Sequence, residues 1–121
     1  MNVYLAGGMH SNWREPIKQV MACYDPHDHG CVDEQEYTAW DLAGIRRADV
    51  LFAYLDADNP SGYGMATEIG YARALGKLVI FVCEPAHPQH QYFGMCRAMA
   101  DVTYTTLEDG IHFLLTLKSI A

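Results

Sequence analysis

Basic residues are scarce in this chain. Lysine and arginine number 8 against 15 aspartate and glutamate, a formal net charge of −7. A surface of that sign argues against nucleic acid and anionic membrane as main partners. Long apolar runs are missing as well: none approaches the ~20 residues of a spanning helix. The opening MNVYLAGG has neither the basic start nor the long apolar stretch of a signal peptide. The four cysteines, Cys23, Cys31, Cys83 and Cys96, form no CxxC pair. With six methionines, they fit a reducing, cytoplasmic compartment better than a disulfide framework. There is no GxxxxGK[ST] string, and Gly62-Tyr63-Gly64 lacks the third glycine of a dinucleotide fingerprint, so the phosphate-loop signal is weak. No internal repeat, low-complexity segment or linker divides the chain.

What is present is material for a core. The chain has 121 residues, 50% of them hydrophobic. That suits one domain, which at this size buries about two-thirds of its unfolded surface without staples. Val3–Ala6 reads as a strand running into a turn at Gly7-Gly8. Ser11 to Pro16 carries helix-start chemistry, with Ile17, Val20 and Met21 as the apolar face. Tyr24 to Asp33 reads as a short strand remnant plus a polar loop. Glu34–Arg47 reads as a helix with Tyr37, Trp40 or Asp41, Gly44 and Ile45 along one side, weakened by Gly44.

Asp49–Leu55 is the clearest buried strand, and Asp56 to Gly64 is turn chemistry throughout. Met65–Leu75 predicts a helix with Met65, Ile69, Ala72 and Leu75 apolar, stopped by Gly76. Leu78–Val82 predicts a second buried strand, then a loop from Glu84 to Gln91. A helix over Tyr92–Ala100, a short strand at Val102–Tyr104 and a closing helix over Leu107–Ile120 follow, the last with Ile111, Leu114 and Leu115 inward. Strands alternating with helices predict right-handed crossovers and a parallel sheet of four or five strands. The expected architecture is a small three-layer α/β domain, flavodoxin-like or Rossmann-like.

Ligands of such sheets bind beyond the carboxyl ends of the strands. Two ends stand out, Tyr4 to Gly8 and Asp56 to Gly64, the second leading into Glu68. Glu68 falls near the start of its helix, where the dipole favours an ionised carboxylate. Such a group serves as nucleophile or charge stabiliser, or simply as a solvated helix-start residue. Asp41, beside Trp40, is the second candidate: one carboxylate poised as acid or base and another kept ionised is the pattern of glycosyl chemistry. The competing reading is a surface aspartate paired with a base. His27, Asp28, His29 and Cys31 form a polar loop whose spacing differs from the common zinc patterns. Trp13, Tyr63, Tyr92 and Phe93 fit core or interface better than a base-stacking platform. His87 and His90 read as solvated loop residues.

VYLAGG at Val3–Gly8, DLAGIRRADV at Asp41–Val50 and SGYGMATEIGYARALGK at Ser61–Lys77 together resemble the nucleoside 2-deoxyribosyltransferase family, which includes deoxynucleoside 5′-monophosphate N-glycosidases. The resemblance runs from about Val3 to Val82. It implies a flavodoxin-like fold and a retaining double displacement without metal or organic cofactor. It casts Glu68 as the nucleophile at the anomeric carbon and Asp41 as the acid–base group at the nucleobase. Tyr4 becomes the residue that orients the nucleophile. Gly7 and Gly8 are implied to border the base and Trp13 to wall its pocket, while Asp58, Asn59, Ser61, Gly62 and Gly64 are implied to contact the rest of the substrate.

Ser61 stands where transferases often carry an acid, which is closer to the monophosphate hydrolases. Ala66-Thr67 are two extra residues before the glutamate. The implied partners are deoxynucleosides or deoxynucleotides, free nucleobases, and a second copy of the chain. The second and third helices are the expected contact faces, and Gln91–Cys96 is the stretch expected to reach a neighbouring site. Three activities follow: deoxyribosyl transfer, hydrolysis of deoxynucleoside 5′-monophosphates with Arg46 or Arg47 as the phosphate cation, and a non-catalytic nucleotide-binding module.

Overall fold

Six consecutive apolar residues, Val50–Leu55, form strand β3, and every one of them is buried. A strand can be apolar on both faces only where both are covered. The computed structural model, which describes residues 1–120, shows how. Strands β1 (Asn2–Gly7), β2 (Ala22–Tyr24), β3, β4 (Leu78–Cys83) and β5 (Val102–Tyr104) form one sheet in the order β2-β1-β3-β4-β5. Every pairing is parallel. The short strands are the two edges, where less backbone needs burial.

Helices α1 (Glu15–Lys18), α2 (Glu34–Arg47), α3 (Tyr63–Ala74), α4 (Gly94–Met99) and α5 (Leu107–Ile120) complete the chain, with 3₁₀ turns at Pro26–Asp28 and His90–Phe93. Alternation along the strands splits the core in two. Tyr4, Ala6, Leu51, Ala53 and Phe81 pack with Ile45 of α2 and with Met65, Ile69 and Ala72 of α3. Val3, Leu5, Phe52, Ile80 and Val82 pack on the other side with Ile17 of α1 and Leu114 of α5. The result is the expected three-layer α/β domain, with five strands.

Local chemistry explains most boundaries. Asp33 caps α2, accepting from the backbone N–H groups of Gln35 and Glu36 at 3.1 Å each. Acids open that helix and Arg46 and Arg47 close it, in accord with its dipole. Gly44 does not interrupt α2. It lies against the Tyr4 ring, and a Cβ there would sit 3.2 Å from the ring carbons. Helix α1 is a single turn, because only three residues separate Lys18 from the start of β2 at Ala22, and Val20, expected inward, is exposed. Leu75 and Leu115, also expected inward, face out at the solvent edge of their helices.

The strand order reverses between β1 and β3. The chain leaves β1, adds β2 on one side, then crosses to lay β3 on the other. Helices leaving β1 and β3 therefore diverge, and a crevice opens between them at the carboxyl ends.

Candidate active site

The crevice at that switch point is a cleft of about 660 Å³. Gly7, Gly8 and His10 from the end of β1 form one wall, and Asn59, Ser61, Gly62 and Gly64 from the turn after β3 form the other. Asp41 of α2 and Glu68 of α3 complete it. Glu68 follows Met65 by three residues and precedes Ala72 by four, so it shares their inward-facing edge of the helix. Gly62 precedes α3 with φ +84°, and a Cβ at that position would meet Leu55 at 2.9 Å, so the turn closes only with glycine.

Glu68 lies in the second turn of α3, one turn deeper than expected, because the helix begins at Tyr63. The first-turn dipole is therefore not what sets its charge. Burial is: it pushes the carboxyl up from 4.5 to about 7, aided by the nearby charge of Asp41 and opposed by the Tyr4 hydroxyl and the Arg14 guanidinium. The Tyr4 hydroxyl donates to Glu68 Oε2. Tyr4 itself is fully buried beneath the cleft, and burial and the Glu68 charge hold its hydroxyl protonated far above the usual range. This carboxyl is poised between acid and carboxylate near neutral pH, where a fixed anion was expected.

Asp41 borders both the cleft and a smaller neighbouring cavity of about 260 Å³. Its Oδ1 lies 2.9 Å from His29 Nε2. The surface ion pair weighed from the sequence is thus replaced by an imidazole contact. His29 in turn uses Nδ1 to accept the Cys31 N–H at 2.9 Å. Among the described residues, no group of three or more histidine, cysteine, aspartate or glutamate side chains is arranged to hold a metal.

Arg14, passed over in the sequence, is the most heavily used side chain near the site. It is 3% exposed. Nη1 donates to the Gly8 carbonyl at 2.7 Å, and Nη2 to those of Gly7 at 3.0 Å and Leu5 at 3.3 Å. Nε lies 3.2 Å from Asp25 Oδ1, without a directed hydrogen bond. The guanidinium also lies over the Trp13 ring, 4.5 Å from its centroid. Burial would lift the Asp25 carboxyl, but the Lys18 ammonium, the His27 N–H and the Arg14 charge outweigh it and hold it below its usual value. The only signal in the sequence was an arginine just after the first strand's glycine turn.

Other expected site residues are placed differently. Trp13 is 5% exposed and packs in the opposite core layer against Phe52 and Tyr54, its Nε1 donating to the Gly8 carbonyl at 2.9 Å. It braces the glycine wall from behind and does not line the cleft. Asp58 is exposed and outside the lining, while its neighbour Asn59 is buried and inside it. Arg46 and Arg47 are exposed; Arg46 donates to the Tyr71 hydroxyl at 3.1 Å and Arg47 borders only the smaller cavity. His87, read as solvated, is 4% exposed. Its Nδ1 accepts from Gln89 N at 3.1 Å, which places the ring proton on Nε2, donating to the Asn59 carbonyl at 2.7 Å. It anchors the wall that carries Ser61 and Gly62.

Solved structures share this architecture. The 2-desoxiribosyltransferase of Leishmania mexicana superposes with a TM-score of 0.72 at 19% identity, covering 95% of this chain and 97% of that one. The CMP N-glycosidase BcmB of Clostridium botulinum superposes at 0.62 and 19% identity over 100% of both chains. No curated protein sequence matches the chain. No helix among the described residues is long and apolar enough to cross a membrane. At such identities the superpositions speak for the fold alone. The sequence itself settles the lineage: the family model described as Nucleoside 2-deoxyribosyltransferase matches residues 3–103, and the chain belongs to that family.

Proposed function

We propose that the protein is a nucleoside 2-deoxyribosyltransferase, moving 2-deoxyribose from one nucleobase to another. One observation carries the reading: a single cleft joins Glu68, hydrogen-bonded by Tyr4, with Asp41. Breaking an N-glycosidic bond builds positive charge on the sugar, and a 2-deoxy sugar has no 2-hydroxyl to oppose it. Glu68 in its carboxylate form stabilises that charge and bonds to the anomeric carbon. The electron pair of the broken bond leaves with the base, which takes a proton from Asp41. A second base, deprotonated by Asp41, then attacks the same carbon and frees Glu68, so two inversions give net retention. Positioned proton transfer of this kind contributes typically about 10²–10⁴-fold.

The placement of the cations supports a nucleoside over a phosphate-bearing substrate. Among the described residues, Arg14 is the one lysine or arginine lining the cleft, and its Nη donors are spent on the carbonyls of Leu5, Gly7 and Gly8. His10 is tied to Asp56 at 2.8 Å. With Asp41 and Glu68 already present, a dianion has no free counter-charge.

The second reading, hydrolysis of 2′-deoxynucleoside 5′-monophosphates, draws on one feature. The N-terminus of α3 has no side-chain cap and opens beside Ser61, an arrangement that accepts anions. A CMP N-glycosidase also shares the fold. Incubation with deoxyinosine and adenine, followed by chromatography, separates the two. Deoxyadenosine is the expected product. Release of free sugar only from a deoxynucleotide would replace the first reading with the second, and inertness towards both would leave a non-catalytic binding module.

The site also favours a homo-oligomer. Trp40 of α2 and Tyr63 of α3 are strongly exposed, as are Tyr92 and Met95 in the Gln91–Cys96 stretch. A monomer on sizing at micromolar concentration would refute that assembly.

A further inference from the structure

We propose that His29 is a positioning residue for Asp41, holding its carboxyl by one oxygen and leaving the other for the nucleobase. The inference rests on the glycosyl-transfer reading above. His29 lies in the loop after β2, and Asp41 lies twelve residues on, in α2. Gly30, at φ +66°, turns the chain so that the Cys31 N–H folds back onto His29 Nδ1 at 2.9 Å. A ring nitrogen that accepts an N–H carries no proton of its own. The proton of the neutral ring is therefore on Nε2, pointing at Asp41 Oδ1 at 2.9 Å.

The backbone thus sets the tautomer, and the tautomer sets the carboxyl. Trp40 lies beside the His29 ring, centroids 6.2 Å apart. The side chains of His29 and Asp41 are only 12% and 19% exposed, so water competes little for the bond. Among the described residues, Asp41 Oδ2 makes no hydrogen bond.

The consequence is a one-oxygen acid. When the departing base takes the proton from Oδ2, the negative charge left on Asp41 is shared with Oδ1, where the His29 N–H already points. The hydrogen bond strengthens as the charge forms. In the second half of the cycle the incoming base returns a proton to Oδ2 and the bond relaxes. Without His29 the carboxyl is free to rotate about its side-chain torsions, and misplacement by about 1 Å can cost as much as ~10²-fold.

The substitutions that test this are His29→Ala, His29→Asn and His29→Gln. The Gln amide nitrogen stands near the place of Nε2 and can donate to Asp41. The Asn amide matches the Nδ1 position and cannot reach. Expected results are a fall in kcat of about tenfold to a hundredfold for Ala and Asn, with KM little changed, and recovery of most of the loss by Gln. His29→Ala added to Asp41→Asn should cost nothing further. Wild-type turnover in His29→Ala, or Gln as poor as Ala, would overturn the proposal while leaving glycosyl transfer intact.

Should the wild-type protein prove inactive, long-range ¹H–¹⁵N spectra of the ring still decide the matter. They should show the Nε2–H tautomer, with an Nε2 resonance that moves in Asp41→Asn. An Nδ1–H ring, or an Nε2 signal indifferent to Asp41, would overturn it.

Discussion

Replacing Glu68 by Gln should yield a more stable and inactive protein, with the gain in stability confined to pH values above mild acidity. Burial moves the Glu68 carboxyl from 4.5 to about 7. In the unfolded chain the same group ionises near its ordinary value. A group whose folded pKa is the higher one binds protons more tightly in the fold. Its favourable contribution is therefore complete below about pH 4.5 and is lost as pH rises through about 7. The gap corresponds to about 3 kcal/mol at ~1.4 kcal/mol per decade. The side chain is partly open to the cleft, so about 2–3 kcal/mol is the size to expect.

The amide is neutral at every pH and can still accept from Tyr4. Urea denaturation followed by Trp fluorescence, run from pH 4 to about 8.5, gives the comparison. The two proteins should unfold together near pH 4, diverge between about pH 4.5 and 7, and hold a constant gap above that. For a domain of this size the plateau amounts to roughly 10 °C in Tm. Deoxyribosyl transfer should fall by at least about 10³-fold in the same variant. A gap that is the same at every pH would show that the difference is not protonation. A variant less stable than wild type at pH 8.5 would show that Tyr4 and Arg14 hold the carboxylate ionised, and the argument from burial would fail.

Two more outcomes follow from the same network. Since Glu68 must be a carboxylate to attack, kcat/KM should rise with pH through about 7. Tyr4→Phe removes a donor that holds this carboxyl down, so the acid limb should move to higher pH and kcat should drop; a limb that stays in place would reject Tyr4 as its partner. Arg14→Met should destabilise the fold by about 3–5 kcal/mol, since it strips three carbonyls at the end of β1 and one side of Asp25 of their buried counter-charge; chemical denaturation showing a loss under 1 kcal/mol would refute that.

The architecture was readable because its signals are local. Val50–Leu55 and Leu78–Val82 are apolar on both faces, and only a covered parallel sheet explains that. The turn after β3 was legible from its Asp, Asn, Pro and Gly residues, although the helix starts at Tyr63, two residues before the expected Met65, and a strand-to-helix turn at a switch point is where ligands sit. Glu68 and Asp41 stand out by their place along the sequence and Tyr4 only through the family resemblance; the cleft joins the two acids, and Tyr4 is hydrogen-bonded to Glu68. Residues whose meaning depends on distant contacts were not readable. Arg14 drew no reading of its own from the sequence, because its partners are carbonyls brought together by the end of β1. His87 looked solvated in a proline-rich loop, yet it crosses to the carbonyl of Asn59, 28 residues away. Trp13 failed for the same reason in reverse. Its position after the glycine turn fits a pocket wall, but the register of β1 and β3 offers a better burial against Phe52 and Tyr54 on the opposite layer. Gly44 seemed a defect in a helix because propensity counts only the helix. Its value is the space it leaves for Tyr4.

Arg14 also explains how the site tolerates its own polarity. Three carbonyls of the β1 end converge where the sheet order reverses, and converging carbonyls repel unless a donor fork satisfies them. Arg14 supplies that fork, and Asp25, which it shares with the Lys18 ammonium, supplies the opposite charge. On the cleft side the arginine's field still lowers the Glu68 carboxyl, while its donors are turned elsewhere. The cleft therefore receives a cation's field without a cation's hydrogen bonds. Under the proposed mechanism, such a site keeps the Glu68 carboxylate available near neutral pH without clamping it in an ion pair, so that it is free to bond to carbon. On the proposed reading, that combination suits positive charge developing on a sugar better than a phosphate, and it follows from one side chain packed behind the glycine turn.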